Sequence, residues 1–365
     1  MIDVEKVVAA AESDAAQWDR AGLPDEMITL AARSGLLGAD RPVTFGGAGL
    51  DARELGRIAA TLGEHCTSLR SLVTVHGMVA AALDRWGTAE QRRDWLPRLT
   101  AGEVVAALAA TEAGAGTDLA GVTTTFEDHG AERVLSGQKL WVTFGQVADV
   151  FLVLGTAPGG LCAALVERDR PGVSVEPVEG QLGMRGAKVA HIWFDRVRIP
   201  AEQLIAPPGF GLSHVIGTAL DHGRFTVAWG CVGIARACLA DAAAHAATRV
   251  QGSTTLAEHQ LIRAMLGRCW VDVEGAQAIC DRATDDRIAG SAHALVATIA
   301  AKYAASNAAA TVSERAVQVL GAAGCAPDSR VGRFYRDAKV MRIIEGAQEV
   351  VEVTIGEHVL RGARW

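Results

Sequence analysis

The hydrophobic positions of the first hundred residues recur at intervals of three and four. Such spacing places apolar side chains on one face of a helix. It predicts five helices, at residues 4–18, 24–34, 52–62, 71–86 and 89–99. Residues 39–50 contain a proline and several glycines, and they predict a turn-rich loop between the second and third helices.

The pattern changes between about residues 103 and 210. Short runs rich in valine, leucine, threonine and aromatic residues alternate there with polar and glycine turns. The runs lie at residues 122–126, 133–136, 140–143, 149–154, 161–167 and 192–194. They predict an all-β insert, either a small barrel or a sandwich.

Helical spacing returns from about residue 210. The predicted helices cover residues 212–251, 256–288, 292–320 and 345–361, and the first three are long and rich in alanine. Small side chains suit close antiparallel packing in a bundle. The chain is therefore predicted to comprise a helical domain at residues 1–102, a β domain at 103–210 and a helical bundle at 211–365.

Composition narrows the class of function. The net charge of −7 argues against a broad nucleic-acid-binding surface, and no apolar run has the length of a membrane span. The N-terminus carries early acidic residues and does not resemble a signal peptide. The seven cysteines include no CxxC pair and predict buried, reduced thiols in a cytoplasmic protein without a metal site.

One acid near the C-terminus is a candidate for proton chemistry. Glu345 follows Ile343 and Ile344 and precedes Gly346. Apolar neighbours that exclude water raise the pKa of a carboxylate toward the range of a general base. The glycine lets a ligand approach the backbone beside the acid. Taken alone, this segment fits a solvated or helix-capping glutamate better.

A glycine-rich segment at residues 110–118 lies where helices give way to strands. Gly114 and Gly116 free the backbone to approach a ligand. Thr111 and Thr117 supply hydroxyls, and successive backbone N–H groups can bind an anion. The alternative interpretation of this segment is a plain glycine turn.

Two further segments pair residues that could contact a ligand. In the strand predicted at 140–143, side chains alternate, so Trp141 and Thr143 share a face that suits a planar ring with polar edge atoms. The alternative is a core tryptophan beside a hydrogen-bonded threonine. Asp221 and Arg224 share a helix face and can pair with each other or contact a substrate. A surface ion pair is the alternative for them.

Other polar residues lie at the breaks between the long helices. Arg249, His259 and Gln260 flank the turn between the first two, and residues 318–324 form a glycine-bearing break after the third. None of these residues is diagnostic alone. The histidines show no metal-ligand spacing, and no G-x-S-x-G motif indicates a serine hydrolase.

Eight short motifs occur in one order along the chain. They are GLLG at residues 35–38, FGGAGL at 45–50, GTAEQRRDWLPRLTAGE at 87–103, TEAGAGTD at 111–118, KLWVT at 139–143, LGMRGAKVAHIWFDRVRIP at 182–200, LDHGR at 220–224 and RDAK-x5-EG at 336–346. In these motifs and their order, the chain resembles the acyl-CoA dehydrogenase family of flavoproteins over nearly its whole length.

The resemblance implies a multidomain fold with an N-terminal helical domain, a middle β-barrel and a C-terminal four-helix bundle. This agrees with the domains predicted from the hydrophobic pattern. It also implies FAD as the cofactor, a homodimer or homotetramer, and an electron acceptor such as an electron-transfer flavoprotein. The positions that it assigns to the flavin and its phosphates are Leu108, Ala110, Thr111, Gly116, Thr117, Trp141, Thr143, Ala347 and Glu349. Those that it assigns to the FAD of a neighbouring subunit are Arg249, His259, Gln260, Gln318, Val319, Gly321 and Ala322.

By the same resemblance, Glu345 is the general base. It would take the α-hydrogen of an acyl thioester as a proton while the β-hydrogen leaves as hydride to the flavin. The Glu345 backbone N–H and a flavin ribityl hydroxyl would hydrogen-bond the thioester carbonyl oxygen. The positions implied to contact the substrate are Thr117, Asp221, Arg224 and Gly346.

The chain departs from the family pattern at several positions near the flavin. Ala113 replaces a proline, Thr117 a serine, Gly252 an aromatic residue, Ala322 a glycine and Ile344 an aromatic residue. These departures imply a weaker or differently shaped FAD site.

The short, alanine-rich form is most similar to dehydrogenases of polyketide extender-unit biosynthesis, which supply hydroxymalonyl or methoxymalonyl groups. Those enzymes act on a small acyl group held by an acyl-carrier protein, and this substrate is our hypothesis here. CoA shares the pantetheine arm, so it stays an alternative carrier. Arg92, Arg93 and Arg98 are candidates for a basic patch that would dock an acidic carrier, although a solvated helix face explains them better.

Two other functions remain as alternatives. The first is a flavin-dependent oxidase or monooxygenase on the same fold, and the retained Glu345 argues against it. The second is a flavin-free scaffold protein that uses the fold as a binding surface. The presence of Thr111, Trp141 and Thr143 argues against a scaffold.

Overall fold

The computed structural model describes residues 2–362, and its N-terminal part is helical. The helices are α1 (Val4–Ala21), α2 (Asp25–Arg33), α3 (Ala52–His65), α4 (Thr67–Trp86) and α5 (Ala89–Thr100). All five predicted helices are present. Capping boxes begin α3 and α5, where the side chains of Asp51 and Thr88 accept hydrogen bonds from the first turn.

The middle of the chain forms one eight-stranded sheet. Its strands are β1 (Ala106–Ala109), β2 (Thr125–His129), β3 (Glu132–Val142), β4 (Val150–Ala157), β5 (Gly160–Glu167), β6 (Val173–Pro177), β7 (Ala190–Pro200) and β8 (Leu204–Ile205). The order is β6-β7-β3-β2-β4-β5-β8, and β1 pairs with β4 in parallel. β1 leads directly into the glycine-rich segment, so the sheet positions that segment.

One strand replaces two predicted ones. The runs expected at residues 133–136 and 140–143 both belong to β3. The pairing of β3 with β7 shifts register twice, between Leu135 and Gly137 and between Lys139 and Val142. These bulges bend the strand without ending it, so the expectation of a turn between two strands was wrong.

Helices form the rest of the described chain. A π-helical segment at Gly211–Ile216 precedes α6 (Gly217–Thr248), α7 (Gln260–Ile288), α8 (Ala294–Leu320), α9 (Arg330–Met341) and α10 (Gln348–Leu360). A short hairpin, β9 (Val250–Gln251) and β10 (Thr254–Thr255), joins α6 to α7. Several predicted boundaries change: α6 ends before residue 251, α7 begins at residue 260 instead of 256, and α10 begins three residues after Glu345. The sequence pattern did not predict α9. The order of helical domain, β domain and helical bundle is confirmed.

α6 is the central helix of the bundle and packs against α3, α4 and α8. Within residues 2–362, Gly211–Thr248 is the one helical stretch long and apolar enough to cross a membrane, but 67% of its apolar window is buried inside the protein. It is therefore a core helix. Six of the seven free cysteines are buried, while Cys325 is exposed, which corrects the expectation that all seven are buried.

The backbones of α3 and α6 touch through glycines. A Cβ at Gly63 would lie 2.3 Å from the carbonyl oxygen of Gly230, and a Cβ at Gly233 would lie 2.1 Å from that of Ala60. Both distances are far inside van der Waals contact. Any larger residue must therefore push the two helices apart.

Gly233→Ala is expected to lower the free energy of unfolding by about 1–3 kcal/mol, because the methyl group overpacks the α3–α6 contact. Denaturant unfolding measures the change. The matched control is Gly275→Ala on α7, where an added Cβ meets nothing within 4 Å. This control should be neutral or stabilising by up to about 1 kcal/mol, since alanine favours a helix over glycine. Equal destabilisation by both substitutions would contradict the proposed packing.

Candidate functional site

Glu345 lies in the connection between α9 and α10, in a backbone conformation rare for a residue with a side chain. Its φ is +56°, and that of Gly346 is +103°. The Ile343 and Ile344 N–H groups both donate to the Val340 carbonyl oxygen, at 2.9 and 3.1 Å. After this tight turn the chain reverses and directs Glu345 inward. Strained φ values of this kind persist where the surrounding structure holds them and are frequent at functional sites.

The walls around the Glu345 carboxylate come from α4 and α6. A Cβ at Gly223 would lie 2.8 Å from Oε2 of Glu345 and 2.9 Å from the Met78 sulfur. Ile343, by contrast, is 56% exposed. The expectation that Ile343 shields the acid was therefore wrong, and Met78 and the glycine face of α6 exclude water instead. Sequence reasoning missed both residues, although Gly223 lies within the LDHGR motif.

Oε2 of Glu345 is buried and has no hydrogen-bond partner among the described residues. Burial raises the pKa of Glu345 to about 7, although the positive charges of Arg224, Lys302 and Arg70 act to lower it. A carboxylate with such a pKa can be ionised at neutral pH and still accept a proton. The environment therefore suits a general base.

Two cations near Glu345 bind the backbone and leave its carboxylate free. Arg224 Nε donates to the Glu345 carbonyl oxygen at 2.8 Å. Lys302 Nζ donates to the Gly346 carbonyl oxygen at 2.6 Å, and Lys302 is completely buried. Burial lowers the pKa of Lys302 to about 8. These bonds hold the reversed connection in place.

Asp221 and Arg224 do not pair with each other. Asp221 Oδ2 accepts a hydrogen bond from Arg287 at 2.7 Å, while Arg224 contacts the connection that carries Glu345. The structure thus excludes a pair between the two in this conformation. Asp221 Oδ1 is buried and unpaired within the described residues.

A buried ion pair anchors the glycine-rich segment. Lys139 Nζ lies 2.6 Å from Oε1 of Glu112 and donates to the Ala110 carbonyl oxygen at 3.1 Å. Thr123 and Thr124 each donate a backbone N–H and a hydroxyl to the Glu112 carboxylate. Burial alone would raise the pKa of Glu112, but these donors lower it to about 2. Sequence reasoning missed the pair, although both residues lie within recognised motifs.

The anchored segment keeps its ligand-facing backbone open. Gly114, Gly116 and Thr117 are exposed. A Cβ at Gly114 would meet nothing within 4 Å, and one at Gly116 would meet only Thr111, at 3.9 Å. The inner side is apolar: Ala110 and Ala115 belong to the same hydrophobic cluster as Met78, the residue beside Glu345. One cluster therefore connects the glycine-rich segment to the acid.

Trp141 stands out from the sheet at a bulge. It has a φ of +58° and is 57% exposed. Its backbone N–H donates to His191 Nδ1 at 3.2 Å, and the two rings meet edge to face. β3 ends at Val142, so Thr143 follows the strand and the expected period-two alternation does not hold here. A large exposed ring fixed in this way is available to stack on a planar ligand.

The second predicted set of residues lies at the other end of the bundle. Arg249 and Arg224 are separated by most of α6, about 38 Å at a rise of 1.5 Å per residue. Gln260 begins α7, Gln318 and Val319 lie in the last turn of α8, and Gly321 and Ala322 follow in a short 3-10 helix. The start of α7 and the end of α8 lie at the same end of the bundle, because the two helices pack together through a short connection. His259 Nε2 lies 3.4 Å from the Thr254 hydroxyl of the hairpin. Arg249, His259, Gln260, Gln318, Gly321 and Ala322 are exposed and Val319 is buried.

Comparison of the sequence with models of known protein families shows which family the chain belongs to. The N-terminal, middle and C-terminal domains of acyl-CoA dehydrogenase match residues 4–103, 107–197 and 210–360. The chain belongs to the acyl-CoA dehydrogenase family. It is 31% identical over 360 residues to the mitochondrial short-chain specific acyl-CoA dehydrogenase of Mus musculus, which covers 96% of this chain and 86% of that protein.

Solved structures of other proteins also resemble this acyl-CoA dehydrogenase over nearly its whole length. FkbI, described as an enzyme for biosynthesis of the methoxymalonyl extender unit of the FK520 polyketide, is 38% identical, with a TM-score of 0.92 over 99% of each chain. The prolyl acyl carrier protein oxidase AnaB is 25% identical, with a TM-score of 0.91 over 98% of this chain and 97% of its own. Both similarities extend over all three domains.

The family consists of FAD-dependent oxidoreductases that act on the CH–CH bond of acyl thioesters, and this dehydrogenase is one of them. Its described residues fit that cofactor. The glycine-rich segment has an open backbone for phosphates, Trp141 exposes a ring that can stack, and Glu345 has an unpaired buried oxygen. The donors and surfaces that FAD chemistry needs are therefore present.

The raised pKa of Glu345 predicts a specific pH dependence of stability. The pKa is about 7 in the folded protein against an ordinary value of 4.5, so between these values the folded state holds a proton that the unfolded chain has lost. The contribution of Glu345 to stability therefore falls as pH rises from about 4.5 to 7. Glu345→Gln should match the wild type below about pH 4.5 and exceed its unfolding free energy by about 3 kcal/mol at pH 8.

Denaturant unfolding across this pH range measures the difference. Glu357→Gln is the matched control, because Glu357 is an exposed acid on α10. A pH-independent offset between Glu345→Gln and the wild type would show that Glu345 does not have the raised pKa.

Proposed function

We propose that this enzyme catalyses the α,β-dehydrogenation of a small acyl thioester, carried by an acyl-carrier protein or CoA, in polyketide extender-unit biosynthesis. The observation that carries the proposal is the buried, unpaired carboxylate oxygen of Glu345. A carboxylate that no protein group satisfies is free to accept a proton from a ligand. Its raised pKa supports this role at neutral pH.

Glu345 removes the α-proton of the thioester through Oε2. Its backbone N–H makes no hydrogen bond to another described residue, so it is available to donate to the thioester carbonyl oxygen. Such a donor stabilises the negative charge that develops on that oxygen as the proton leaves, and each donor of this kind is typically worth about 3–4 kcal/mol. Arg224 and Lys302 hold the next two carbonyl oxygens of the chain, those of Glu345 and Gly346, and so help to fix the backbone that carries this N–H.

Bound FAD supplies the acceptor for the hydride that leaves the β-carbon. The residues proposed to hold it are Leu108, Ala110, Thr111, Gly116, Thr117, Trp141, Thr143, Ala347 and Glu349. The buried ion pair between Glu112 and Lys139 holds the glycine-rich segment against the β domain. Thr117, Asp221, Arg224 and Gly346 are the proposed substrate contacts.

The distant set at the far end of α6 supports an oligomer. We assign Arg249, His259, Gln260, Gln318, Val319, Gly321 and Ala322 to the FAD of a neighbouring subunit, because they lie too far along α6 to serve the same site as Arg224. A homodimer or homotetramer would complete each flavin site. An electron-transfer flavoprotein is the proposed acceptor of the electrons.

The carrier assignment rests on similarity to FkbI and AnaB, whose descriptions name a polyketide extender unit and an acyl carrier protein. The predicted basic patch of Arg92, Arg93 and Arg98 gives weaker support to the acyl-carrier-protein assignment. Arg93 contacts Asp94 at 2.9 Å and Glu90 at 3.5 Å, and the Arg98 guanidinium lies over the Trp95 ring. These contacts reduce the free charge of the predicted patch.

An oxidase activity on the same fold is the second candidate. The similarity to AnaB, described as an oxidase, is the observation that favours it. An oxidase would pass its electrons to oxygen and release one peroxide per turnover. Stoichiometric peroxide in aerobic turnover would replace the dehydrogenase assignment.

Glu345→Gln is expected to bind FAD normally and to lose at least about 10²–10⁴-fold in the rate of flavin reduction by substrate, because the amide cannot take the proton. Anaerobic bleaching of flavin absorbance with a panel of acyl thioesters measures the rate. Glu357→Gln serves again as the surface control and should reduce its flavin at the wild-type rate. Wild-type reduction by Glu345→Gln would assign the base to another residue.

The same small acyl group attached to an acyl-carrier protein or to CoA tests the carrier. We expect a higher kcat/KM for the carrier-protein substrate, because protein contacts outside the pantetheine arm add to binding. A clear preference for CoA would end the carrier-protein version and leave the dehydrogenase assignment standing.

A further inference from the structure

A bulge in β3 leaves Trp141 without a regular partner in the sheet. Between two regular pairs of the β3–β7 ladder, Leu140 and Trp141 of β3 lie opposite one residue of β7, His191. Such a bulge interrupts the backbone hydrogen bonds of the ladder. The Leu140 N–H donates instead to the Thr111 carbonyl oxygen at 2.8 Å, and the Trp141 N–H donates to His191 Nδ1 at 3.2 Å. The bulge is thus fixed by the glycine-rich segment on one side and by a side chain of β7 on the other.

The His191 imidazole is held in one orientation and one tautomer. A backbone N–H can only donate, so the His191 Nδ1 that accepts from Trp141 carries no proton, and the proton of the neutral ring lies on Nε2. The Trp141 ring lies 5.3 Å from the imidazole at an interplanar angle of 90°, and the Trp193 ring lies 6.0 Å from it at 77°. Edge-to-face contacts at such distances are favourable for aromatic pairs. His191 therefore contacts both the backbone and the ring of Trp141.

Trp141 depends on such contacts because its backbone is strained and its ring is exposed. Its φ of +58° is unfavourable for a residue with a side chain. A conformation of this kind persists only where the surrounding structure holds it. The ring is 57% exposed, so core packing does little to fix its direction. Loss of the acceptor at His191 would therefore release the bulge, and the direction of the Trp141 ring would change with it.

We propose that His191 is a positioning residue for the flavin: its acceptor nitrogen holds the bulge of β3 and thereby keeps the Trp141 ring over the isoalloxazine. This inference rests on the proposed function, in which Trp141 contacts FAD. His191 acts through Trp141. A ring that is already in place lowers the ordering cost of binding a planar ligand, so the histidine prepares the flavin site before FAD enters it.

Two substitutions separate the acceptor from the volume of the histidine. His191→Asn keeps an acceptor oxygen in place of Nδ1, because both atoms are bonded to Cγ, whereas His191→Leu removes the acceptor and keeps an apolar side chain. His129→Leu is the matched control, since His129 is an exposed histidine of the same sheet whose nearest charged neighbour is Glu127, at 3.8 Å. Flavin content and thermal melting confirm that each variant is folded.

Hydrogen exchange of single amides in the holoenzyme, resolved by mass spectrometry, is the first measurement. His191→Leu should accelerate exchange at the Trp141 amide by about twofold to tenfold, the usual effect of one lost hydrogen bond. The Leu140 amide should be unchanged, because its acceptor is the Thr111 carbonyl oxygen. His191→Asn and His129→Leu should match the wild type at both amides. Unchanged exchange at Trp141 in His191→Leu, or equal acceleration at both amides, would overturn the proposal.

The hydrogen bond to His191 lies within the protein, so the same comparison in the apoprotein covers any variant that loses FAD.

Fluorescence of the bound FAD is the second measurement, because an indole stacked on the isoalloxazine quenches its emission. His191→Leu should raise the emission toward that of Trp141→Leu, while His191→Asn should stay near the wild type. The double variant of His191→Leu and Trp141→Leu should match Trp141→Leu alone, since His191 acts through that ring. A further rise in the double variant, or equal emission from His191→Asn and His191→Leu, would overturn the proposal.

Neither measurement needs turnover, so their failure is distinguishable from failure of the proposed dehydrogenation. The expected changes in His191→Leu, in an enzyme whose flavin no thioester bleaches, would support the positioning role and refute the dehydrogenation alone. Wild-type exchange and emission in His191→Leu would overturn the positioning role even if the wild type oxidises a thioester.

Discussion

The exclusion of water from one carboxylate is the constraint on which the site depends. Glu345 reaches its position because the α9–α10 connection reverses through two positive φ angles and because α6 has a glycine where the acid meets it. A side chain at Gly223 would displace the carboxylate and open the site to solvent. The buried position of the acid, and the catalytic role proposed for it, therefore require a positive-φ backbone in one element and the absence of a side chain on another.

The same device recurs along the α4–α6 contact. Gly223 faces Glu345, Gly230 faces Arg70, and a Cβ at Gly77 would lie 2.4 Å from His222 Nε2. At each place a glycine on one element makes room for a polar side chain from another. Burial raises the pKa of Glu345 to about 7 and lowers that of His222 to about 4. Close helix packing thus sets the charge state of the interior as well as the stability of the bundle.

The three-domain order could be predicted from hydrophobic periodicity, because long helices and short strands differ in period. Glu345, Trp141 and the glycine-rich segment could be recognised because they lie in short contiguous motifs. The residues that surround them in the folded protein could not be predicted from the sequence. Met78 and Gly223 reach Glu345 only through the packing of α4 on α6, and Glu112 pairs with Lys139 across 27 residues of chain. The exposure of Ile343 and the bulge at Trp141 depend on backbone dihedral angles that residue patterns do not reveal.

Infrared difference spectroscopy of the holoenzyme tests the central claim most directly, because a protonated carboxyl group has a C=O stretch that an ionised one lacks. Spectra would be recorded across the range from pH 5 to 9 for the wild type and for Glu345→Gln. The account predicts a wild-type carboxyl band that disappears with a midpoint near pH 7 and is missing from the variant. Identical spectra for the two proteins from pH 5 to 9 would contradict the account, because Glu345 would then already be ionised at pH 5.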